Sequence, residues 1–177
     1  MVDRAWNDRD DRTDDNVAED MVKGAVAGAA GVWVMDQVTW GMYLREDPEA
    51  FRQEQAARIG GKDVAHVAAG KIAHAVGTTL TPEQPHPAGI AVHYALGIVP
   101  GALYGALRKR VDGVGAGRGF LYGFALFLVN DELLNPVLGL SSGPTAYPAQ
   151  AHARGLAGHL ALGVATDLVL DLLDEVT

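Results

Sequence analysis

Four ionisable residues, two acids and two histidines, stand within long apolar stretches of this 177-residue sequence. They are Asp36, His93, Asp131 and His159. Two carboxylates and two imidazoles suit a divalent metal ion that prefers nitrogen and oxygen ligands, such as Zn²⁺, Mn²⁺ or Fe²⁺. They equally suit a proton relay, because neighbouring groups move the pKa of a histidine across the physiological range. A third interpretation is structural: the acids and histidines pair and hold helices together.

Two further acids extend this polar set. Glu132 follows Asp131 directly, and Asp167 follows His159 by about two helical turns. The predicted intramembrane polar site is therefore Asp36, His93, Asp131, Glu132, His159 and Asp167, and the candidate metal ligands are Asp36, His93, Asp131 and His159. An ionisable side chain inside a membrane costs about 2.5–3.5 kcal/mol even on the lenient insertion scale, so such residues indicate function.

The polar residues lie in four apolar segments, each about as long as the roughly 20 helical residues that a bilayer requires. The segments cover 22–43, 88–107, 119–140 and 155–173. A chain of this size has too little mass to hide four such helices from water. We therefore predict an all-α fold, an integral membrane bundle of four helices in contact with the lipid bilayer.

Glycines recur four residues apart in these segments, and a polar residue lies on the same helix face in each. Residues four apart share a face, and small residues there let helix backbones approach closely. The predicted helix-packing glycines are Gly24, Gly28, Gly97, Gly101, Gly105, Gly119, Gly123, Gly155 and Gly163. Counting from the helix ends at about 1.5 Å per residue places the four ionisable residues roughly 7–14 Å below one surface, in a common layer.

Two parts of the chain lie outside the predicted spans. Residues 1–20 carry eight acids and three arginines, which predicts a disordered acidic arm ahead of a membrane domain 21–177. Residues 46–87 form an extramembrane helical loop, in which 62–76 is an amphipathic helix that lies on the membrane surface or against a partner. The histidines outside or beside the spans are expected to be solvated, and these are His66, His74, His86 and His152.

Composition argues against several classes of function. The chain has no cysteine, which excludes disulfides, a thiolate zinc site and a cysteine nucleophile. Its net charge of −8 argues against a nucleic-acid surface. Phosphate-binding loops and the catalytic motifs of soluble enzymes are missing, so we expect no nucleotide and no enzymatic activity. No cofactor is expected other than the divalent metal ion considered above.

Lysine and arginine are distributed unevenly about the predicted spans. Eight lie on the side that both termini share with the 108–118 turn, against six on the other side. The triplet Arg108-Lys109-Arg110 stands directly at a helix end. Because positive residues favour the cytoplasmic side, we predict that both termini are cytoplasmic.

Short motifs spread over the four segments suggest a family. They are Trp33-Val34-Met35-Asp36, His93 followed by Tyr104, Gly119-Phe120-Leu121-Tyr122-Gly123, Pro136-Val137-Leu138-Gly139-Leu140, and Gly158-His159-Leu160 with Asp167. In their order and spacing the chain resembles the YagU-like family of small bacterial inner-membrane proteins. The resemblance implies a multi-pass protein of the bacterial inner membrane. It implies no mechanism, because that family has no established biochemical activity.

These observations predict a non-enzymatic membrane protein with an intramembrane Asp/His site that handles protons or a divalent cation. The alternative is a structural or interaction protein, whose glycine faces mediate self-association or docking to a larger membrane complex. A more remote alternative is a soluble helical carrier of an apolar ligand.

Overall fold

The computed structural model describes residues 3–83 and 85–176, with side chains from Val17 onward. Every regular element in these ranges is helical, as the sequence predicts. The helices are α1 (Asp3–Tyr43), α2 (Pro48–Ala57), α3 (Val64–Ala75), α4 (Pro87–Arg108), α5 (Phe120–Leu126), α6 (Asn135–Val137) and α7 (Ala149–Val176). A π-helical segment, Phe127–Leu134, joins α5 to α6, and 3-10 turns cover Ile59–Gly61 and Pro144–Ala146.

The predicted spans correspond to α1, α4, the rod from α5 through α6, and α7. Within the described residues, α4 and α7 are the helices long and apolar enough to cross a membrane. Helix α1 is not among them, and the third rod is divided by the π-helical segment. The all-helical prediction is confirmed, whereas membrane-spanning character is supported for two helices and not for four.

Helix α1 lies between α4 and α7 and packs along both. Helix α5 packs against α7, and α3 packs against α4. The rings of Tyr104 in α4 and Tyr122 in α5 stack with centroids 4.3 Å apart, which closes the bundle. We call the two ends the charged end, where Asp20 lies beside Lys109 and Arg110, and the cavity end, where the side chain of Arg154 covers Tyr43.

Helices α1 and α4 touch through their backbones. A Cβ placed on Gly101 would lie 2.6 Å from the carbonyl oxygen of Gly24 and 2.8 Å from the Cα of Gly28. Gly97 and Gly105 also face α1, so that a methyl group at either position would meet atoms of that helix. Only glycine permits this approach, and it extends over about two helical turns.

Helices α5 and α7 repeat the arrangement. A Cβ on Gly163 would lie 2.8 Å from the Cα of Gly123 and against the carbonyl oxygen of Gly119. Gly155 faces the ring of Phe127 and a carboxylate oxygen of Asp131, with a Cβ placed there 3.2 Å from each. The predicted interior glycines therefore lie at contacts between helices of the same chain.

The polar loop contains α2 and α3, and Asp47 and Asp63 cap their N-termini. Asp47 accepts hydrogen bonds from the backbone N–H groups of Glu49 and Ala50 at 2.8 and 3.2 Å, and Pro48 occupies the first helical position. The buried residues of α3 are Ala65, Ala69 and Ala73. Ile72 and Val76, two large apolar residues of the predicted amphipathic helix 62–76, are exposed. The small alanine side chains form the buried face because α3 packs closely on α4.

A network of ion pairs joins three helices at the charged end. Arg108 contacts Asp167, Asp171 and Asp174 at 3.2, 2.8 and 2.6 Å. Lys109 lies 2.8 Å from Asp174 and 3.0 Å from Asp20, which ties α4 to both α7 and α1. This network fixes the order of the helix ends and holds the basic triplet next to buried acids.

The network also bears on the predicted acidic arm. Asp20, the last residue of that arm, lies in α1, is buried, and accepts hydrogen bonds from Arg110 at 2.7 Å and from Lys109 at 3.0 Å. Two cations at the end of α4 compensate its burial, so Asp20 is held by the bundle. The described backbone of 3–20 is helical as part of α1, whereas residues 1 and 2 and the side chains of 3–16 lie outside the described part of the structure.

Replacing Gly101 by alanine tests the α1–α4 contact. The added methyl group must push the two backbones apart, and such overpacking costs roughly 1–3 kcal/mol of the free energy of unfolding. Gly70 is the matched control, because a Cβ there meets nothing within 4 Å and alanine is the better helix former by about 0.5–1 kcal/mol. Thermal unfolding in mild detergent should show Gly101→Ala melting lower and Gly70→Ala melting at or above the original protein. Equal melting points would contradict the contact.

The Asp20 network predicts a dependence of stability on pH. Burial opposes the charged form of Asp20, but hydrogen bonds from Arg110 and Lys109 outweigh it and lower the pKa of this carboxyl below its usual 3.8. Because the pKa is lower in the folded protein than in the unfolded chain, Asp20 stabilises the fold at pH values above 3.8. This contribution is lost as the pH falls below 3.8 and through the lowered pKa. We expect Asp20→Asn to cost roughly 2 kcal/mol near neutral pH and progressively less below about pH 4. Denaturant unfolding at several pH values measures this, and a difference independent of pH would contradict it.

Candidate functional site

A cavity of about 730 Å³ opens at the cavity end between the four main helical rods and the polar loop. Five of the six residues of the predicted polar site line it. The ionisable side chains around the cavity are Asp36, Glu54, Arg58, Lys62, Asp63, His66, His93, Asp131, Glu132, His152, Arg154 and His159. The structure therefore brings the four predicted residues of α1, α4, the π-helical segment and α7 to one space.

Asp36 and His93 form the first carboxylate–imidazole pair. The Nε2 atom of His93 lies 2.8 Å from Oδ1 of Asp36, which joins α4 to α1. The side chain of His93 is 35% exposed and that of Asp36 is 38% exposed. The pair thus remains open to the cavity while its two members hold each other.

Asp131 and His159 form the second pair, deeper in the bundle. The Nδ1 atom of His159 hydrogen-bonds to the carbonyl oxygen of Gly155 at 2.9 Å and lies 3.6 Å from Oδ2 of Asp131. A carbonyl oxygen only accepts, so Nδ1 carries a proton. The amide of Asn135 donates to the other carboxylate oxygen of Asp131 at 3.4 Å. His159 is buried and Asp131 is about one third exposed, so the carboxylate is the half of the pair that faces the cavity.

Glu132 and His152 form a third pair, which the sequence did not predict. The Nδ1 atom of His152 lies 2.6 Å from Oε1 of Glu132, and its Nε2 atom lies 2.9 Å from the carbonyl oxygen of Pro144. Burial lowers the pKa of His152, but its hydrogen bond to Glu132 outweighs this, and the pKa is raised. The expectation of a solvated His152 was wrong, because the 3-10 turn at Pro144 folds back over the ring.

The π-helical segment positions both carboxylates of the third rod. Pro136 has no N–H to donate, and the N–H of Asn135 bonds to the carbonyl of Asn130, five residues earlier. This wider turn directs Asp131 toward His159 and Glu132 toward His152. Such π-helical turns within α-helices occur frequently at functional sites.

Arg154 closes one side of the cavity mouth. Its guanidinium pairs with Glu46 and, at 2.6 Å, with Glu54 of α2, while lying 5.1 Å from the ring centroid of Tyr43. Glu54 also binds Arg58 at 2.7 Å. The Arg154, Glu46 and Glu54 side chains are nearly buried, at 11%, 7% and 5% exposed. These pairs dock α2 onto the first turns of α7.

His66 holds the other side of the mouth. Its Nε2 atom accepts a hydrogen bond from the backbone N–H of His86 at 2.9 Å, and its Nδ1 atom lies 2.8 Å from Oδ2 of Asp63. Burial opposes ionisation of Asp63, but the hydrogen bonds from His66 outweigh it and lower the pKa of this carboxyl. His66 is thus a link between α3 and the start of α4, and the expectation that it is solvated was wrong.

Asp167 does not join the cavity. It lies at the charged end, where its Oδ1 atom accepts hydrogen bonds from the hydroxyl of Tyr104 at 2.6 Å and from Arg108 at 3.2 Å. The glycine face of α7 carries both His159 and Asp167, but two helical turns separate their depths. Asp167 was predicted as part of the polar site; it lies on the same helix face as His159 but at the charged end and not at the cavity.

The described residues contain no group of three or more His, Asp or Glu side chains arranged to hold a metal ion. The four candidate ligands are instead divided into the two pairs. This geometry fits paired acids and bases better than a common metal centre.

Comparison with known proteins leaves the site to be interpreted from its own chemistry. No protein-family model, curated protein or solved structure matches the chain. The resemblance to the YagU-like family therefore stays a prediction.

Replacing Arg154 by methionine tests the mouth of the cavity. Glu46 and Glu54 would lose a buried partner, and breaking a buried ion pair in this way costs about 3–5 kcal/mol. We expect faster amide hydrogen exchange throughout α2 and a lower melting point. Arg52→Met is the control, because Arg52 lies in α2 and its side chain is exposed. Protection of α2 that is unchanged in Arg154→Met would contradict the docking role.

Proposed function

We propose that the chain is a non-enzymatic integral membrane protein with a proton-linked Asp/His site inside a four-helix bundle. The observation that carries the proposal is the set of three carboxylate–imidazole pairs around one cavity. Histidine is the side chain whose charge ordinarily changes near neutral pH, and a carboxylate lies beside each of these three imidazoles. The pairs can therefore take up and release protons with little rearrangement.

The outward faces of the helices favour a membrane environment. Large apolar side chains are exposed along all four rods, and among them are Trp33, Ile90, Val99, Leu103, Phe120, Leu121, Leu133, Leu168 and Leu172. Soluble monomers seldom expose continuous apolar surface on this scale. The ion pairs, in contrast, lie at the charged end and around the cavity. A lipid bilayer around the middle of the bundle would explain why the exposed surface there is apolar and why the ion pairs lie elsewhere.

The charged end supports the proposed orientation. The start of the apolar part of α1 and the ends of α4 and α7 lie together there, next to Arg108, Lys109 and Arg110. Positive residues favour the cytoplasm, so we place this end, with both termini, on the cytoplasmic side of a bacterial inner membrane. The cavity then opens toward the opposite side.

Protons are preferred over a divalent cation because the candidate ligands form separate pairs within the described residues. The interaction-protein alternative is weakened, because the predicted glycines already contact other helices of the same chain. Self-association or docking to a larger complex would have to use the outward apolar faces instead.

Tryptophan fluorescence tests the proton link directly, because Trp40 lines the cavity. We suggest reconstituting into vesicles a variant that keeps only Trp40, made by Trp6→Phe and Trp33→Phe. Its emission should change in a single transition between about pH 5 and pH 8, where imidazoles titrate. Adding Asp36→Asn should abolish that transition or move it by about one pH unit or more, because His93 loses its charged partner.

The control for this titration is Asp112→Asn, since Asp112 is exposed and does not line the cavity. It should leave the transition in place. The absence of any transition in the original chain, or an identical transition in Asp36→Asn, would contradict the proton link.

A further inference from the structure

We infer that the cavity binds a monovalent organic cation with an apolar body, of the class of lipophilic amines and quaternary ammonium or phosphonium ions. The inference rests on the proposed proton-linked site, and it names the class of ligand that would bind in the same cavity. It follows from the size of the cavity, the chemistry of its walls and its imbalance of charge.

The size and walls of the cavity suit a molecule and not a bare ion. Its volume of about 730 Å³ lies within the range of roughly 300–1,000 Å³ typical of sites for drug-sized ligands. Apolar and aromatic side chains form much of the lining, and these include Met35, Trp40, Tyr94, Leu126, Phe127 and Leu162. Aromatic faces attract cations as well as apolar groups. A ligand with an apolar body therefore has surface to bury here.

The charge of the lining selects a cation. Five carboxylates and three permanently cationic side chains surround the cavity. Two of those cations, Arg58 and Arg154, are already bound by Glu54 at the mouth. The carboxylates of Asp36, Asp131 and Glu132 are paired with histidines alone among the described side chains with basic groups.

The pairing geometry leaves these carboxylates short of positive charge. Each of them faces a histidine in place of a permanently charged lysine or arginine, so an organic cation in the cavity supplies the missing charge. Under the proposed proton link, protons and the cation compete for the same carboxylates, and acid conditions displace the cation. Asp63, His66 and Lys62 at the mouth add their own charges to this balance.

The test uses tetraphenylphosphonium, a permanent cation that carries no proton of its own, and tetraphenylborate, an anion of the same shape. Equilibrium dialysis of the full chain in mild detergent should show saturable binding of tetraphenylphosphonium and none of tetraphenylborate. The affinity should rise as the pH is raised from about 5 to 8, where the histidines lose their protons. Asp36→Asn and Asp131→Asn should each weaken binding about tenfold or more, because each removes a charge that faces the cavity.

Asp112→Asn is the matched control and should bind as the original chain does. Two variants on different helices are used so that a folding defect in one, detected by circular dichroism, leaves the other to decide. No saturable binding of the cation, or equal binding of the anion, would overturn this inference even if the Trp40 transition is present. Cation binding that does not change with pH would leave the cation site and overturn the proton link. Loss of both signals would overturn both proposals.

Discussion

The architecture depends on backbone contact between helices at glycine. Where Gly101 of α4 meets Gly28 of α1, and Gly163 of α7 meets Gly123 of α5, no side chain separates the two helices. Residues four apart share a helix face, so each such contact also turns the polar residue of that face inward. Asp36 therefore reaches a histidine of α4 without any loop or insertion that serves to position it. The same interaction that joins the helices thus assembles the polar cavity.

Charge buried in this bundle is compensated differently at its two ends. At the charged end, acids meet arginine and lysine, which stay protonated at any physiological pH, so the helices there are joined permanently. In the cavity, Asp36, Asp131 and Glu132 instead face histidines, a residue type whose charge ordinarily changes near neutral pH. The pairs at the charged end hold the helices together, and proton exchange at the histidine pairs is the function that we propose. Arg154 and His66 frame the opening, which confines access to the cavity end.

Much of the fold follows from local periodicity, and the sequence therefore predicted it. The helical segments, the glycine faces and the shared level of Asp36 and His93 need only the spacing of residues along a helix. The partners of Arg154 could not be predicted in this way, because Glu54 lies 100 residues away and many acids compete for the role. The π-helical turn was missed because it depends on which carbonyl the N–H of Asn135 selects, a choice that spacing does not reveal. The position of Asp167 at the charged end could not be predicted from its helix face, because a shared face does not fix depth along the helix.

Cysteine accessibility tests the central claim, a lipid-embedded bundle with a polar cavity that opens at one end, most directly. The chain has no native cysteine, so single replacements can be labelled without background. Met35 lines the cavity, whereas Trp33, on the same helix, is exposed on its outer surface. In intact membranes, a charged, membrane-impermeant thiol reagent should label Met35→Cys and leave Trp33→Cys unlabelled until detergent is added. Rapid labelling of Trp33→Cys in membranes, or protection of Met35→Cys, would contradict the account.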